Sequence, residues 1–379
     1  MKKAVLIPDS FKGTLSSIKI CEIIKERINA RFPSCKVISV PVADGGEGSV
    51  DCFLSALGGE RIWCEVNNPY SEKMSASYGI LADGKTAVIE MAACCGLPLV
   101  EDRKDPMKTT TFGLGELILD AANKGCQKII VGLGGSCTND AGCGAAAAIG
   151  IKFYDKAGKE FVPVGGNLEE VVHIDVSTKN KALDNVEIVT MCDIDNPLYG
   201  KNGAAYIFAP QKGADERTVE ILDNGLVSIS KVIEKSLDID VKNIPGGGAA
   251  GGCGSGMVAF FNSNLQMGIE TVLNTVGFDN MIEDADVVFT GEGKMDSQSL
   301  RGKVVIGVAR RAKKQSVPVI VVAGGYDEDL DKAYDEGITA IFSINRLPQD
   351  LEVSRYHSEE NLSLTVDNIL RTVLFAKSL

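Results

Sequence analysis

Short apolar runs that end in a glycine- or aspartate-rich loop recur at both ends of this chain, and they restrict the fold more than any other feature. Residues 3–8 (KAVLIP) run into DSFKGT, and 36–42 (KVISVPV) run into ADGGEG. Near the other end, 286–290 (DVVFT) lead into GEGKMD, 317–323 (VPVIVVA) lead into Gly324 and Gly325, and 338–344 (ITAIFSI) follow. Runs this short, with no polar alternation, read as strands covered on both faces, the signature of a parallel sheet. Helical patterns separate them. Between the first two runs, Ile20, Ile23, Ile24 and Ile28 fall at helix spacing behind Ser16 or Ser17 as cap. The segment after ADGGEG reads as a helix through Leu57, and Leu362 to Phe375 as the last helix.

The middle of the chain has another grammar. RIWCEV, KMSASYGIL and TAVIEMA alternate between the turns NNPYSE and ADGK, which predicts antiparallel or mixed strands. A helix over 111–124, a strand over 128–133 and a strand over 186–191 follow. The expected architecture is therefore α/β. A Rossmann-like, mostly parallel sheet domain takes residues 1–60 and 281–379. An inserted α/β domain with a mixed sheet takes 61–280. A chain of 379 residues is long enough for two cores.

Composition narrows the chemistry. The net charge of −12 argues against nucleic acid as a partner. No apolar run is long enough to span a bilayer, and the start lacks a signal-peptide pattern, so a cytoplasmic protein with no membrane partner is expected. Eleven scattered cysteines without a CxxC pair read as buried thiols in a reducing compartment. There are only two histidines, His173 and His357, in no ligand spacing. Zinc hydrolase and serine hydrolase arrangements are thereby excluded, and Cys137 has no neighbouring histidine to activate it. Chemistry falls to Asp, Lys, Asn, Ser and Thr side chains, to backbone N–H groups and to a metal.

Those groups concentrate in the loops after the apolar runs, where parallel sheets hold ligands. DSFKG supplies Asp9, Ser10 and Lys12. ADGGEG supplies Asp44, Gly45 and Gly46. GGSCTNDAG supplies Ser136, Thr138, Asn139 and Asp140, with small polar groups before an alanine-rich helix. Asp193, Asp195 and Asn196 follow the strand 186–191, and Lys212 sits in a second polar loop. TGEGKMDSQSLRGK supplies Gly291, Gly293, Lys294, Asp296 and Lys303, with Glu292 among them. The run GGGAAGGCGSG over 246–256 is neither a Walker A loop nor a clean GxGxxG, and reads as a phosphate cover, a hinge or a linker. Acidic glycine loops with lysines, and no usable histidine, suit phosphoryl transfer, which needs positioning, positive charge, Mg²⁺ and an acid to orient a hydroxyl. A nicotinamide-dependent oxidoreductase would need its glycine motif directly after a strand. A non-catalytic sugar-acid binder would not need to keep these acids and lysines.

As an ordered set covering nearly the whole chain, DSFKG, PVADGGEG, GGSCTNDAG, CDIDNPLYG, APQKGA and TGEGKMDSQSLRGK resemble the bacterial glycerate kinase family, the glycerate 2-kinase type related to glucarate and glyoxylate enzymes. One departure is Cys137, where the family commonly has alanine. The resemblance implies ATP-dependent phosphorylation of D-glycerate with Mg²⁺, giving 2-phosphoglycerate, and two α/β domains around a cleft. A glycerate 3-kinase, or a kinase of another small hydroxy acid, is the alternative. Nothing in the sequence sets an oligomeric state.

Individual roles are assigned from chemistry. Asp193, first after a strand, is expected to be the base, with Asp195 as second candidate and Lys12 beside the transferred phosphate. Asp44 and Asp296, each beside a glycine cradle, are expected on the metal. Ser10, Gly45, Gly46, Ser136, Thr138, Lys212, Gly291, Gly293, Lys294 and Lys303 are expected to hold ATP. Asp9, Asn139, Asp140 and Asn196 are expected to hold glycerate.

Overall fold

The computed structural model describes residues 1–376 except 44, 45, 47, 297, 298, 328, 329, 348 and 349. Two of the expected site residues, Asp44 and Gly45, therefore lie outside the described residues. The chain divides into two compact units, one made of residues 1–44, 51–58 and 267–379, the other of 45–50 and 59–266. On the C-terminal side this division falls at 267, where the reading of the sequence put 281. The helix Gly268–Val276 explains the difference, because the bare backbone of Gly307 lets the helix Val304–Lys314 settle onto Ile269.

The first unit opens with β1 (Lys3–Leu6) and β2 (Lys36–Ser39). In the second unit, β3 (Gly59–Asn67), β4 (Lys73–Leu81) and β5 (Thr86–Glu90) form an antiparallel meander. β6 (Lys128–Gly132) then pairs parallel to β5. A small sheet of β7 (Lys152–Tyr154), β8 (Glu160–Phe161) and β9 (His173–Asp175) comes next. β10 (Glu187–Met191) and β11 (Asn264–Gln266) complete a six-stranded mixed sheet in the order β11-β10-β6-β5-β4-β3. The chain returns to the first unit with β12 (Val287–Met295), β13 (Val319–Tyr326) and β14 (Ile338–Ser343).

The first unit's sheet is parallel throughout, in the order β14-β13-β12-β1-β2. Counted within the unit, that is the 2-1-3-4-5 order of flavodoxin-like sheets, whose direction of winding reverses between the first and third strands. The α/β class with a parallel sheet from both chain ends and a mixed sheet in the insertion is as expected. The helix Ser17–Arg31 also follows the pattern: Ser16 caps it by accepting the Lys19 N–H, and Ile20, Ile23, Ile24 and Ile28 are buried. Each such isoleucine contributes about 1.5–3 kcal/mol on burial. Buried Ser17 ties two strand ends together, donating to the Pro8 carbonyl at 2.6 Å and accepting the Val42 N–H at 2.8 Å.

Two expectations need correction. GEGKM is not a loop: β12 continues through Met295 against an equally extended β13, with Lys294 opposite Gly325 and Met295 opposite Tyr326. A side chain at Gly291 would lie 2.0 Å from the Val322 carbonyl, so this glycine serves strand packing. The run 246–256 is neither linker nor hinge. Its second half opens the helix Ala249–Phe261 and is buried. A Cβ at Gly251 would sit 2.1 Å from the Thr138 carbonyl, and one at Gly248 would sit 2.3 Å from the Pro197 carbonyl. The glycines let this segment touch the loops after β6 and β10 backbone to backbone.

Candidate active site

Each unit carries its own group of functional side chains. In the first unit they line a cavity of about 520 Å³ at the carboxyl ends of the parallel strands. The loop after β1 contributes Asp9, Ser10 and Lys12, and β12 contributes Glu292, Gly293 and Lys294. Lys303, the residue that caps the helix Val304–Lys314, also lines it. This is the crevice at the reversal between β1 and β12, where open α/β sheets bind ligands. The geometry is fixed by backbone: the Asp9 N–H donates to the Gly291 carbonyl at 2.8 Å, and the Thr290 hydroxyl donates to the Ile7 carbonyl at 2.8 Å.

Asp9 is buried, and its Oδ1 accepts the Ser10 N–H at 2.6 Å. Glu292 is only 8% exposed, and its Oε1 is buried with no hydrogen-bond partner. Burial pushes the Glu292 carboxyl up to about 7, and the nearby Asp9 charge adds to the shift. A carboxyl so placed exchanges its proton near neutral pH. Lys294 pairs with Asp327 at 2.9 Å, both side chains being exposed. Lys12 is exposed and Lys303 half-buried. Asp296 faces a local turn, where its Oδ1 accepts the Ser299 N–H at 3.2 Å. Of the five residues of the TGEGKMDSQSLRGK stretch assigned a role from sequence, Gly293, Lys294 and Lys303 meet at the cavity, and Gly291 is taken up by packing.

In the second unit the loop after β6 is pinned at Cys137. The Cys137 N–H donates to the Cys95 carbonyl at 2.9 Å, and the Thr109 hydroxyl donates to the Cys137 carbonyl at 2.9 Å. Lys212 then enters from the turn Pro210–Lys212, which Pro210 starts and left-handed Gly213 ends. Its Nζ donates to the Ser136 Oγ at 3.0 Å and to the Thr138 carbonyl at 2.7 Å. The side chain is 2% exposed, and burial brings its ammonium down to about 8. Ser136, Thr138 and Lys212, expected together from sequence, are together. The Thr138 hydroxyl and both amide atoms of Asn139 are buried without partners. Cys137 is inert, its thiol pushed up to about 12 by burial.

Asp140 departs from the expected glycerate-binding role. It is fully buried and accepts from the Thr111 N–H, the Thr111 hydroxyl and the Gly142 and Gly144 N–H groups. It organises the start of the helix Cys143–Ala148, since buried carboxylates are kept by such donors. Asn196 is half-buried, and its amide donates to the Asn202 carbonyl at 2.8 Å in a hydrogen bond open to solvent. Asp193, two residues past the end of β10, is half-buried, and Asp195 is exposed. Gly46 accepts the Ser49 hydroxyl at 2.8 Å at the start of the helix Ser49–Leu57.

Sequence reasoning named Glu292 without giving it a role, because its burial depends on neighbours brought in from β1. It missed the cavity's far wall, Tyr326, Asn345, Ser354 and Ser358. Those residues carry no local signal. Thr111 was legible only as a helix start. Among the described residues, no group of three or more His, Cys, Asp or Glu side chains is placed to hold a metal, and no helix is long and apolar enough to cross a membrane.

Comparison with known proteins agrees along the whole chain. Residues 4–374 match the model of the glycerate kinase family. The chain is 44% identical over 372 residues to a glycerate 2-kinase of Escherichia coli K12, covering 98% of each protein. It is 43% identical over 368 residues to a glycerate kinase of Bacillus cereus, covering 97% of each. A crystal structure of a provisionally named glycerate kinase 2 from Salmonella typhimurium LT2 superposes with a TM-score of 0.90 at 39% identity, covering both chains completely.

Proposed function

The chain belongs to the glycerate kinase family and is a kinase, and from that premise we propose that it phosphorylates D-glycerate with ATP to give 2-phosphoglycerate by direct in-line transfer. The observation that carries the reading is the first unit's cavity, where Lys12, Lys294 and Lys303 share a lining with Asp9 and Glu292. Lysines at a switch-point crevice offer positive charge to phosphates, and transfer of a phosphoryl group depends on such charge more than on covalent chemistry.

ATP is assigned to this cavity, its phosphates toward Lys12 and Lys303 and the backbone of Ser10 and Gly293. Lys212, Ser136 and Thr138 form a second anion-binding group in the other unit. Asn139, whose amide atoms lack partners, has donor and acceptor capacity suited to a hydroxy acid. Asp193 accepts the hydroxyl proton, with Asp195 as second candidate, because a carboxylate just past a strand end is a natural acceptor in a chain with two histidines. The all-oxygen donors fit Mg²⁺, which takes one or two carboxylates and completes its shell with phosphate oxygens and water. Asp296, oriented by the Ser299 N–H, would hold it. When bound, the ion supplies neutralisation of phosphate charge. The cytoplasm is the proposed location, in keeping with eleven free thiols.

The test is product identity. Purified protein is incubated with D-glycerate, ATP and Mg²⁺, and the product is read by phosphorus NMR. A 2-phosphate ester supports the reading. A 3-phosphate ester replaces it with glycerate 3-kinase, and turnover with other hydroxy acids but not glycerate moves it to another substrate.

A further inference from the structure

The strand β3 is the outermost strand of the six-stranded sheet. On its inner side it pairs with β4 in an unbroken register of nine residues, from Gly59 opposite Leu81 to Asn67 opposite Lys73. Natural sheets protect such an edge by keeping it short, by a bulge, by proline or by charged side chains, lysine above all. The segment GERIWCEVN has no proline or lysine and pairs without a bulge, and its charges, Glu60, Arg61 and Glu65, are of both signs. At its centre stands Trp63, the only tryptophan of the chain, 65% exposed. The opposite face of the strand is already used: Val66 is buried in the core, and Ile62 and Cys64 pack against that core.

Side chains alternate along a strand, so Arg61, Trp63 and Glu65 share the outward face. Arg61 stands two residues before the tryptophan and Glu65 two after it. If β3 of a second copy ran antiparallel alongside with Trp63 opposite Trp63, each Arg61 would stand opposite a Glu65, and this would occur twice across the two-fold axis. Ile62 would stand opposite Cys64 on the other face. A slip of one residue in one direction would instead set Glu60 opposite Glu65, and like charges directly opposite destabilise a sheet; a slip in either direction would turn the outward side chains of one copy to the other face. The strand is thus complementary to itself in the register centred on Trp63.

We propose that β3 is a homodimer interface, in which two copies of this chain join edge to edge through antiparallel β3 strands centred on Trp63. Such a contact is isologous, the usual symmetry of soluble dimers. Arg61 donates to the Ser77 Oγ at 3.0 Å on the neighbouring strand β4.

Sedimentation velocity over two decades of protein concentration, read with the fluorescence of the single tryptophan, tests this. The expected result is a monomer–dimer equilibrium in which Trp63 emission shifts to the blue as dimer forms. Glu65→Arg places like charges opposite each other and should leave a monomer with unshifted emission. The double variant Arg61→Glu, Glu65→Arg should recover both dimer and shift. Circular dichroism and turnover of each variant show that it is folded. A wild type that stays monomeric throughout overturns the proposal. So does a dimer that survives Glu65→Arg, or one whose tryptophan emission does not move.

Discussion

The Lys212 ammonium donates to the Ser136 hydroxyl at 3.0 Å across 76 residues of sequence, and among the described residues no carboxylate accepts from it alongside. A buried lysine without a paired acid costs stability, so its retention points to use.

Lys212→Met should separate the two. A shift of the ammonium from 10.5 to about 8 corresponds to a burial cost of roughly 3 kcal/mol for the charged form. Against this, leaving the Thr138 carbonyl without a donor costs about 1–3 kcal/mol. At pH 7 the variant should therefore unfold within about 2 kcal/mol of wild type, while turnover falls at least tenfold. The sign with pH follows. The folded value lies below the unfolded one, so the stabilising contribution is complete above the unfolded value and is lost as pH falls through about 8. Urea midpoints at pH 7 and pH 10 should show the wild type gaining on the variant as pH rises.

Glu292→Gln tests the opposite sign. Its carboxyl is raised from 4.5 to about 7, so the folded protein holds a proton that the unfolded chain releases. That contribution is present below 4.5 and is lost as pH rises through about 7. Without ligand, the glutamine variant should be more stable than wild type at pH 8, by an amount on the order of 3 kcal/mol. The difference should close toward pH 4.5, as followed by thermal or urea unfolding across that range.

Lys12→Ala and Lys303→Ala address the cavity. Each should raise the KM for ATP at least tenfold, about 1.4 kcal/mol of lost interaction. Unchanged KM and kcat in both variants would take the phosphates out of this cavity. Lys294→Ala should do less, because that ammonium is already paired with Asp327.

Asp193→Asn concerns the proton. With glycerate, ATP and Mg²⁺ varied separately, the variant should lose maximal rate while keeping its affinity for ATP and Mg²⁺. Rescue by excess Mg²⁺ would move Asp193 to the metal, and a wild-type rate would remove it from the chemistry.

Gly251→Ala concerns packing. Its φ of +68° favours glycine, and a methyl group would meet the Thr138 carbonyl at 2.1 Å, where backbone cannot yield cheaply. The expected loss exceeds about 4 kcal/mol, the range reserved for severe strain and overpacking. Chemical denaturation, or failure to recover soluble protein, reads it.

What the sequence determined by itself is local. A strand covered on both faces writes itself as an unbroken apolar run, so the parallel sheet was legible in KAVLIP and DVVFT. The helix Ser17–Arg31 was legible in its serine cap and four isoleucines. The phosphate-type chemistry was legible in loops crowded with Gly, Asp, Lys and Ser, because few other uses need that mixture after a strand. What only the tertiary structure decided depends on partners distant in the chain. Asp140 looks like a ligand in GGSCTND, yet Thr111 and the backbone ahead of the next helix consume its oxygens. The run GGGAAGGCGSG looks like a flexible cover, yet other backbones press against it until nothing larger than glycine fits at Gly251. Glu292 looks like one acid among several, and becomes a proton-exchanging group because the fold buries it, with Asp9 from the loop after β1 adding to the effect. Hydrogen bonding, burial and close approach are properties of pairs, and a sequence states its residues one at a time.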